Sequence, residues 1–423
     1  MSAFGTPRSP RAQLRAGHTL DGRYELLFPY AQGGMATVWL ARVRGKHGFE
    51  KLYAVKTILP HLAEDEGFRT MFLDEARIAS RIRHGNVAEI EDLGECDGHL
   101  YMVLEWIQGD AWSKLVAAVA GRRDVVPVDL MLRIAAEACA GLHAAHELAD
   151  DVGRSLNVVH RDVSPQNIMV SEAGVVKVID FGVAKAIGRA SEATRTGLIK
   201  GKLEYLAPEL ASGREVDRRA DVWAMGATLY EVLAGRAPFT GKTDLEVLRR
   251  ISSGKPPRPL PSIIPRPVAD VVMRSLHSDR ERRVSSALEF QRLLESVMTS
   301  PVSSEDIAGA LRHYLTPRIQ TRHAAIADAL REVASDVRYG QPDPVPAGFP
   351  LLLPEAAQLR AEPDPLVDVP EISDEAETRG GDPVTEPLDA PFRLRPLHAA
   401  WIAVATLITL GVWFTVIAQA LHR

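Results

Sequence analysis

The spacing of apolar residues changes several times along the chain, and each change predicts an element. Tyr24 to Phe28, Thr37 to Val43 and Leu52 to Lys56 are short apolar stretches rich in aromatic and β-branched residues, which reads as strands. Residues 68–83 shift to helical spacing, with Phe72, Ala79 and Ile82 on one face. Glu75 falls on that same face, where a carboxylate is costly unless paired, so it is a candidate partner for Lys56. An apolar helix is predicted from about residue 128 to 148, followed by strands at Ile168 to Val170 and Val175 to Ile179.

Residues 303–338 read as two amphipathic helices packed on the main domain. Ser303 is the N-cap of the first, with Asp306 three residues on and Ile307, Leu311 and Tyr314 along one side. Ile326, Leu330 and Val333 form the stripe of the second. Prolines and acids dominate from Gly340 to Pro396, a composition that buries too little apolar surface to offset the entropy of ordering, so an extended tether is expected. Ala399 to Leu421 has no charged residue, and as a helix it would be roughly 34 Å long, enough to cross a bilayer core. Trp401 and Trp413 lend loose support as interfacial anchors. The expected organisation is therefore a flexible leader (1–21), a large folded domain (22–297), a helical extension (298–339), a disordered linker (340–396) and a transmembrane helix (399–421).

Composition changes this picture little. The 423 residues are 46% hydrophobic and 25% charged, as in ordinary globular proteins. The formal net charge of −5 argues against a general nucleic-acid binder. Neither Cys96 nor Cys139 sits in a metal-spaced or redox pair, which fits inert thiols in a reducing compartment. The first 17 residues contain no apolar run and so no secretory signal.

Candidate chemistry gathers in the second zone. The turn AQGGMAT at 31–37, between two strands, would let backbone N–H groups approach phosphate oxygens. Lys56 ends the next strand. The centre is far more specific: His160-Arg161-Asp162, Asn167 five residues after the aspartate, Asp180-Phe181-Gly182, then Ala207-Pro208-Glu209. This ordered set resembles the eukaryotic-like (Hanks-type) serine/threonine protein kinase superfamily, and in particular its bacterial branch.

The resemblance covers residues 22–297 and implies an α+β bilobal fold with a β-rich N-lobe and a helical C-lobe. It implies ATP and Mg2+ as cofactors, with Ala31, Gly33, Gly34, Val38, Ala54, Lys56, Glu75, Glu105 and Ile107 around the nucleotide. It makes Asp162 the catalytic base, Asn167 and Asp180 the metal ligands, and Lys56 the phosphate-holding lysine braced by Glu75. It pairs Glu209 with Arg283 and makes Asp221 a brace for the catalytic loop. Arg161 before the catalytic aspartate implies regulation by phosphate on the activation segment, where Ser191, Thr194 and Thr196 offer hydroxyls and the two threonines are preferred. The chain departs from the family at Ala31 and Ala36, which replace loop glycines, and at Ser164, where serine/threonine kinases carry a lysine. Lys202 stands where such kinases have threonine, and a swap is expected in which its ammonium fills the role that Ser164 cannot.

The expected activity is γ-phosphate transfer to protein serine or threonine in bacterial signalling. The alternative is a pseudokinase scaffold that binds nucleotide or partners at the membrane. Tyrosine specificity is disfavoured because the catalytic loop lacks that branch's Ala-Ala-Arg stretch. Expected partners are protein substrates, a lipid bilayer engaged by the C-terminal helix and, for autophosphorylation, a second copy; no nucleic acid is expected. The chain is expected at the cell membrane as a single-pass protein with its kinase domain in the cytoplasm.

Overall fold

The computed structural model describes residues 13–122, 124, 127–181 and 203–336, with the side chains of His61, Met71, Glu75 and residues 333–336 outside the description. The predicted tether and the candidate span at 399–421 lie outside the described residues. Among those residues no helix is long and apolar enough to cross a membrane.

The N-terminal part is a six-stranded antiparallel sheet of β1 (Thr19–Leu20), β2 (Tyr24–Gln32), β3 (Ala36–Arg44), β4 (Glu50–Ile58), β5 (Ile90–Cys96) and β6 (His99–Glu105), in the order β1-β2-β3-β4-β6-β5. Alternation places Tyr24, Leu26, Trp39, Tyr53 and Val55 on one face as a buried cluster. The other face, through Ile58, Leu100 and Met102, takes Phe68 and Phe72 of helix α2. A short turn of helix, α1 (Pro60–Ala63), precedes α2 (Glu66–Ala79), whose N-cap Asp65 accepts a hydrogen bond from the Phe68 amide at 2.8 Å. Two residues assigned to the predicted leader, Thr19 and Leu20, pair with β2, and Leu20 is fully buried; residues 1–12 lie outside the described residues.

Strands β7 (Gly109–Ala111), β8 (Ile168–Ser171) and β9 (Val176–Val178) form a second sheet at the top of the helical part. Below it lie α3 (Trp112–Arg122), α4 (Val128–His146), α5 (Pro208–Ala211), α6 (Arg219–Ala234), α7 (Asp244–Ser252), α8 (Arg266–Ser275) and α9 (Ala287–Val297). Helix α6 is buried nearly all round, so it forms the axis of the core rather than an amphipathic wall. The two parts meet where β9 bridges Val87: the Ala88 amide donates to Val178 O at 2.9 Å and the Val178 amide to Asn86 O at 2.9 Å. This is the bilobal arrangement that the resemblance implies, with a β-rich N-lobe and a helical C-lobe.

One helix, α10 (Ser304–Asp336), replaces the two predicted over 303–338. Ser303 and Asp306 cap it reciprocally, each backbone amide bonding the other's side chain at 2.8 and 3.2 Å. Pro317 lies inside α10, where its ring removes one backbone donor. The helix continues because both halves are held: Ile307, Leu311 and Leu315 enter the C-lobe core, while Ile326, Ala329 and Leu330 pack on Leu27 and Leu40 of the sheet. Gly174, in the β8–β9 turn at φ +76°, lies so close to its start that a Cβ would come within 1.8 Å of Ser304 O.

Candidate active site

The loop between α4 and β8 carries Asp162. Arg161 adopts a left-handed conformation at φ 63°, costly for a side chain with a Cβ, and this turns consecutive amides inward. Asp221, on the first turn of α6 and fully buried, accepts both: His160 N at 2.7 Å and Arg161 N at 2.8 Å. His146, at the end of α4, contacts the same carboxylate at 2.8 Å. Burial opposes ionisation of Asp221, but His146, His160 and the donated amide outweigh it and hold its carboxyl below the ordinary range.

His160 joins this loop to the segment ending in Phe181. Its Nε2 lies 2.9 Å from Ile179 O, its Nδ1 accepts from the Asp162 amide at 3.2 Å, and its ring rests 4.6 Å from that of Phe181. That pattern requires the neutral ring with hydrogen on Nε2. Burial supplies the reason, pushing its pKa down against the pull of Asp221 and Asp162.

Asn167 is buried beside Asp162. Its Nδ2 donates to Asp162 O at 2.8 Å and to Asp162 Oδ2 at 2.9 Å, so the amide oxygen is the atom left to face a cation. Its backbone is fixed on both sides, accepting from Ile179 N at 3.0 Å and donating to Ser164 O at 2.9 Å. Asp180, left-handed at φ 57°, accepts from Lys56 Nζ at 2.7 Å. Lys56 is placed by pairing across β3, β4 and β6, opposite Val38 and Met102. The amide oxygen of Asn167 and the carboxylate of Asp180 are hard oxygen donors suited to Mg2+, so the residues present fit the expected ion.

Around the nucleotide side, Ala31 pairs with Val38 in the β2–β3 hairpin, and Gly33 N donates to Ala36 O at 2.9 Å. The space above Gly34 is open. Ala54 pairs with Leu104, next to Glu105 and Ile107. The Glu105 amide is taken by Glu89 O at 3.0 Å, and its carboxylate is held by Lys177 at 2.7 Å. Glu75 lies on α2, and its side chain is outside the description, as are all of Gly182, Ser191, Thr194, Thr196 and Lys202. The expected brace of Lys56 by Glu75 is thus not described; the described partner of Lys56 is Asp180. Ser164 is fully buried, and its hydroxyl has no hydrogen-bond partner among the described residues.

Glu209 and Arg283, both buried, meet through two bonds of 2.7 and 3.1 Å, and Arg283 also donates to Arg219 O at 2.8 Å. The sequence reading missed His146, the double contact of His160, and the Lys177–Glu105 pair. A signal existed for the first: a carboxylate inside the apolar run of α6 needs a buried partner.

Comparison with known proteins agrees with this architecture. The family model described as protein kinase domain matches residues 31–298. The tyrosine-protein kinase MasK of Myxococcus xanthus is 41% identical over 67% of this chain and 44% of its own length. The serine/threonine-protein kinase PknB of Mycobacterium leprae is 34% identical over 64% of this chain and 42% of its own. The chain therefore spans less than half the length of either relative. Among solved structures, the PknI kinase domain of Mycobacterium tuberculosis superposes with a TM-score of 0.51 at 26% identity, covering 67% of this chain and 99% of that one.

Proposed function

The chain belongs to the protein kinase family, and from that premise we propose that it transfers the γ-phosphoryl group of ATP to serine and threonine hydroxyls of proteins. The observation that carries the reading is the fixed Asp162. Its backbone is turned by Asp221 and His160, and one carboxylate oxygen is oriented by Asn167. Asp162 would align the incoming hydroxyl and take its proton, a role worth about 10²–10⁴-fold in general-base catalysis. Lys56 would hold phosphate oxygens, and Asn167 and Asp180 would hold Mg2+, which when bound offsets charge on the transferring group. A scaffold without catalysis would have no need of this whole set together.

Lys202 is proposed to supply the cation missing at Ser164, and Arg161 to receive a phosphate on Ser191, Thr194 or Thr196. The buried Arg161 Nε, which has no partner among the described residues, fits a guanidinium with donor capacity in reserve. Membrane anchoring through 399–421, a cytoplasmic kinase domain, autophosphorylation between copies and a signalling role complete the proposal.

A second reading has one observation in its favour, the relative named as a tyrosine kinase. Phosphosite mapping after incubation with Mg-ATP and a generic acceptor decides between them, with Asp162→Asn alongside. Phosphoserine and phosphothreonine that vanish in the variant support the first reading, and phosphotyrosine alone supports the second. Label that is equal in the variant defeats both. K202A is expected to lower turnover about 10²-fold, the scale of one lost transition-state charge contact; unchanged turnover in K202A and K202T would end the swap idea.

A further inference from the structure

Helix α10 lies outside the family's catalytic motifs, yet its second half reaches the strand that leads into the nucleotide loop. At its centre Arg322 is 2% exposed. Its Nη1 donates to Gly109 O at 2.8 Å and to Asp110 Oδ2 at 2.7 Å, and its Nη2 donates to Glu172 Oε1 at 2.6 Å. Gly109 and Asp110 begin β7, directly after the connection at 106–108 between the lobes, and Glu172 sits in the β8–β9 turn. Arg318 reinforces the contact to Asp110 at 3.0 Å.

The same guanidinium lies beside the phenol of Tyr30, close enough to act on its ionisation. Tyr30 is on β2, immediately before Ala31 and the loop glycines. Its ring stands edge-on to Trp106, with centroids 4.9 Å apart and planes at 90°. One turn on, Ile326 and Leu330 pack, as Phe28 and Trp106 do, against the cluster of Leu27, Leu40 and Ala329. Helix α10 therefore holds both the strand feeding the phosphate loop, through Ile326, Ala329 and Leu330, and the strand after the interlobe connection, through Arg322. Two carboxylates and a carbonyl fix the planar fork of Arg322, a match that lysine cannot reproduce.

We infer that Arg322 is a positioning residue for nucleotide binding, which sets the height of the 31–37 loop over the cleft by locking Tyr30 and Trp106 against Asp110 and Glu172. It touches neither nucleotide nor the reacting atoms; it acts through β2. The inference rests on the kinase reading for its ligand, but the measurement of affinity does not require transfer.

The test uses the full chain with Mg-ATP. Arg322→Met is expected to weaken Mg-ATP affinity, by calorimetry, and to raise the ATP KM about tenfold or more, as small misplacements of a binding element do. The kcat is expected to change far less, and R322K is expected to recover part of the loss. Tyr30→Phe keeps the ring and the fold and is expected to shift affinity in the same direction by a smaller factor, so it carries the test if R322M does not fold. Wild-type affinity and KM in a folded R322M, or a loss of thermal stability or kcat with unchanged affinity, would overturn the inference, as would wild-type affinity in Y30F where R322M does not fold. Binding of Mg-ATP by a wild type that transfers nothing would defeat the kinase reading while leaving the role of Arg322 to be read from affinity.

Discussion

His160 shows how one neutral ring can govern a catalytic loop. Its Nδ1 holds the Asp162 amide only while unprotonated. The folded-state value lies below the ordinary one because of burial, so on acidification the unfolded chain takes up the proton first. Stability is then complete above the ordinary histidine value, about 6.5, and declines as pH falls below it towards the folded value. His143, also lowered by burial, adds to the same slope. Thermal melts from pH 8 to 5 should show that decline, and His160→Gln should flatten it in part; an unchanged slope would contradict the assignment. The Glu209–Arg283 pair obeys a different rule, because removing one partner strands the other charge in the core. Arg283→Met is expected to cost about 3–5 kcal/mol in denaturant unfolding, where an exposed ion pair would cost under about 1 kcal/mol. Such residues differ in how far the sequence discloses them. Asp162, Asn167 and Asp180 stand at short fixed spacings and were legible. Arg322 and Asp110 are separated by 212 positions, and no local pattern joins them.

Among elements, strands β2, β3 and β4 and the helices α2 and α4 follow directly from apolar spacing, since each buries one face or nearly all of itself. Helix α10 does not. Its two apolar stripes read as separate helices, and Pro317 lies between them, where proline in a helix interior costs about 3 kcal/mol. What holds the helix together is tertiary: its first half belongs to the C-lobe core and its second half to the sheet. Local patterning carries no information on that. Strand β1 was hidden for the opposite reason, being two residues long and recognisable only by the burial of Leu20. The account of α10 predicts that Leu330→Asp, which places a charge against Leu27 and Leu40, lowers Mg-ATP affinity together with stability. If affinity and stability were both unaltered, the described packing of that half would be wrong.

At the scale of the whole molecule, the bilobal kinase fold was legible because its chemistry is written in order along the chain, from Lys56 through Asp162 and Asp180 to Glu209. The described residues place the first three around one cleft, with Lys56 on Asp180 and Asp162 on Asn167. The membrane anchor belongs to a part of the sequence outside the described residues, and it stands as a proposal. Flotation with phospholipid vesicles tests it: the full chain is expected to float, and a chain ending at residue 396 to stay behind. The central claim is that Asp162 is the base. Single-turnover transfer from Mg-ATP to a saturating acceptor tests it most directly, comparing wild type with Asp162→Asn after calorimetry has measured both affinities. A rate lower by about 10²–10⁴-fold at unchanged Mg-ATP affinity is the predicted result. Equal rates in the two proteins would contradict it.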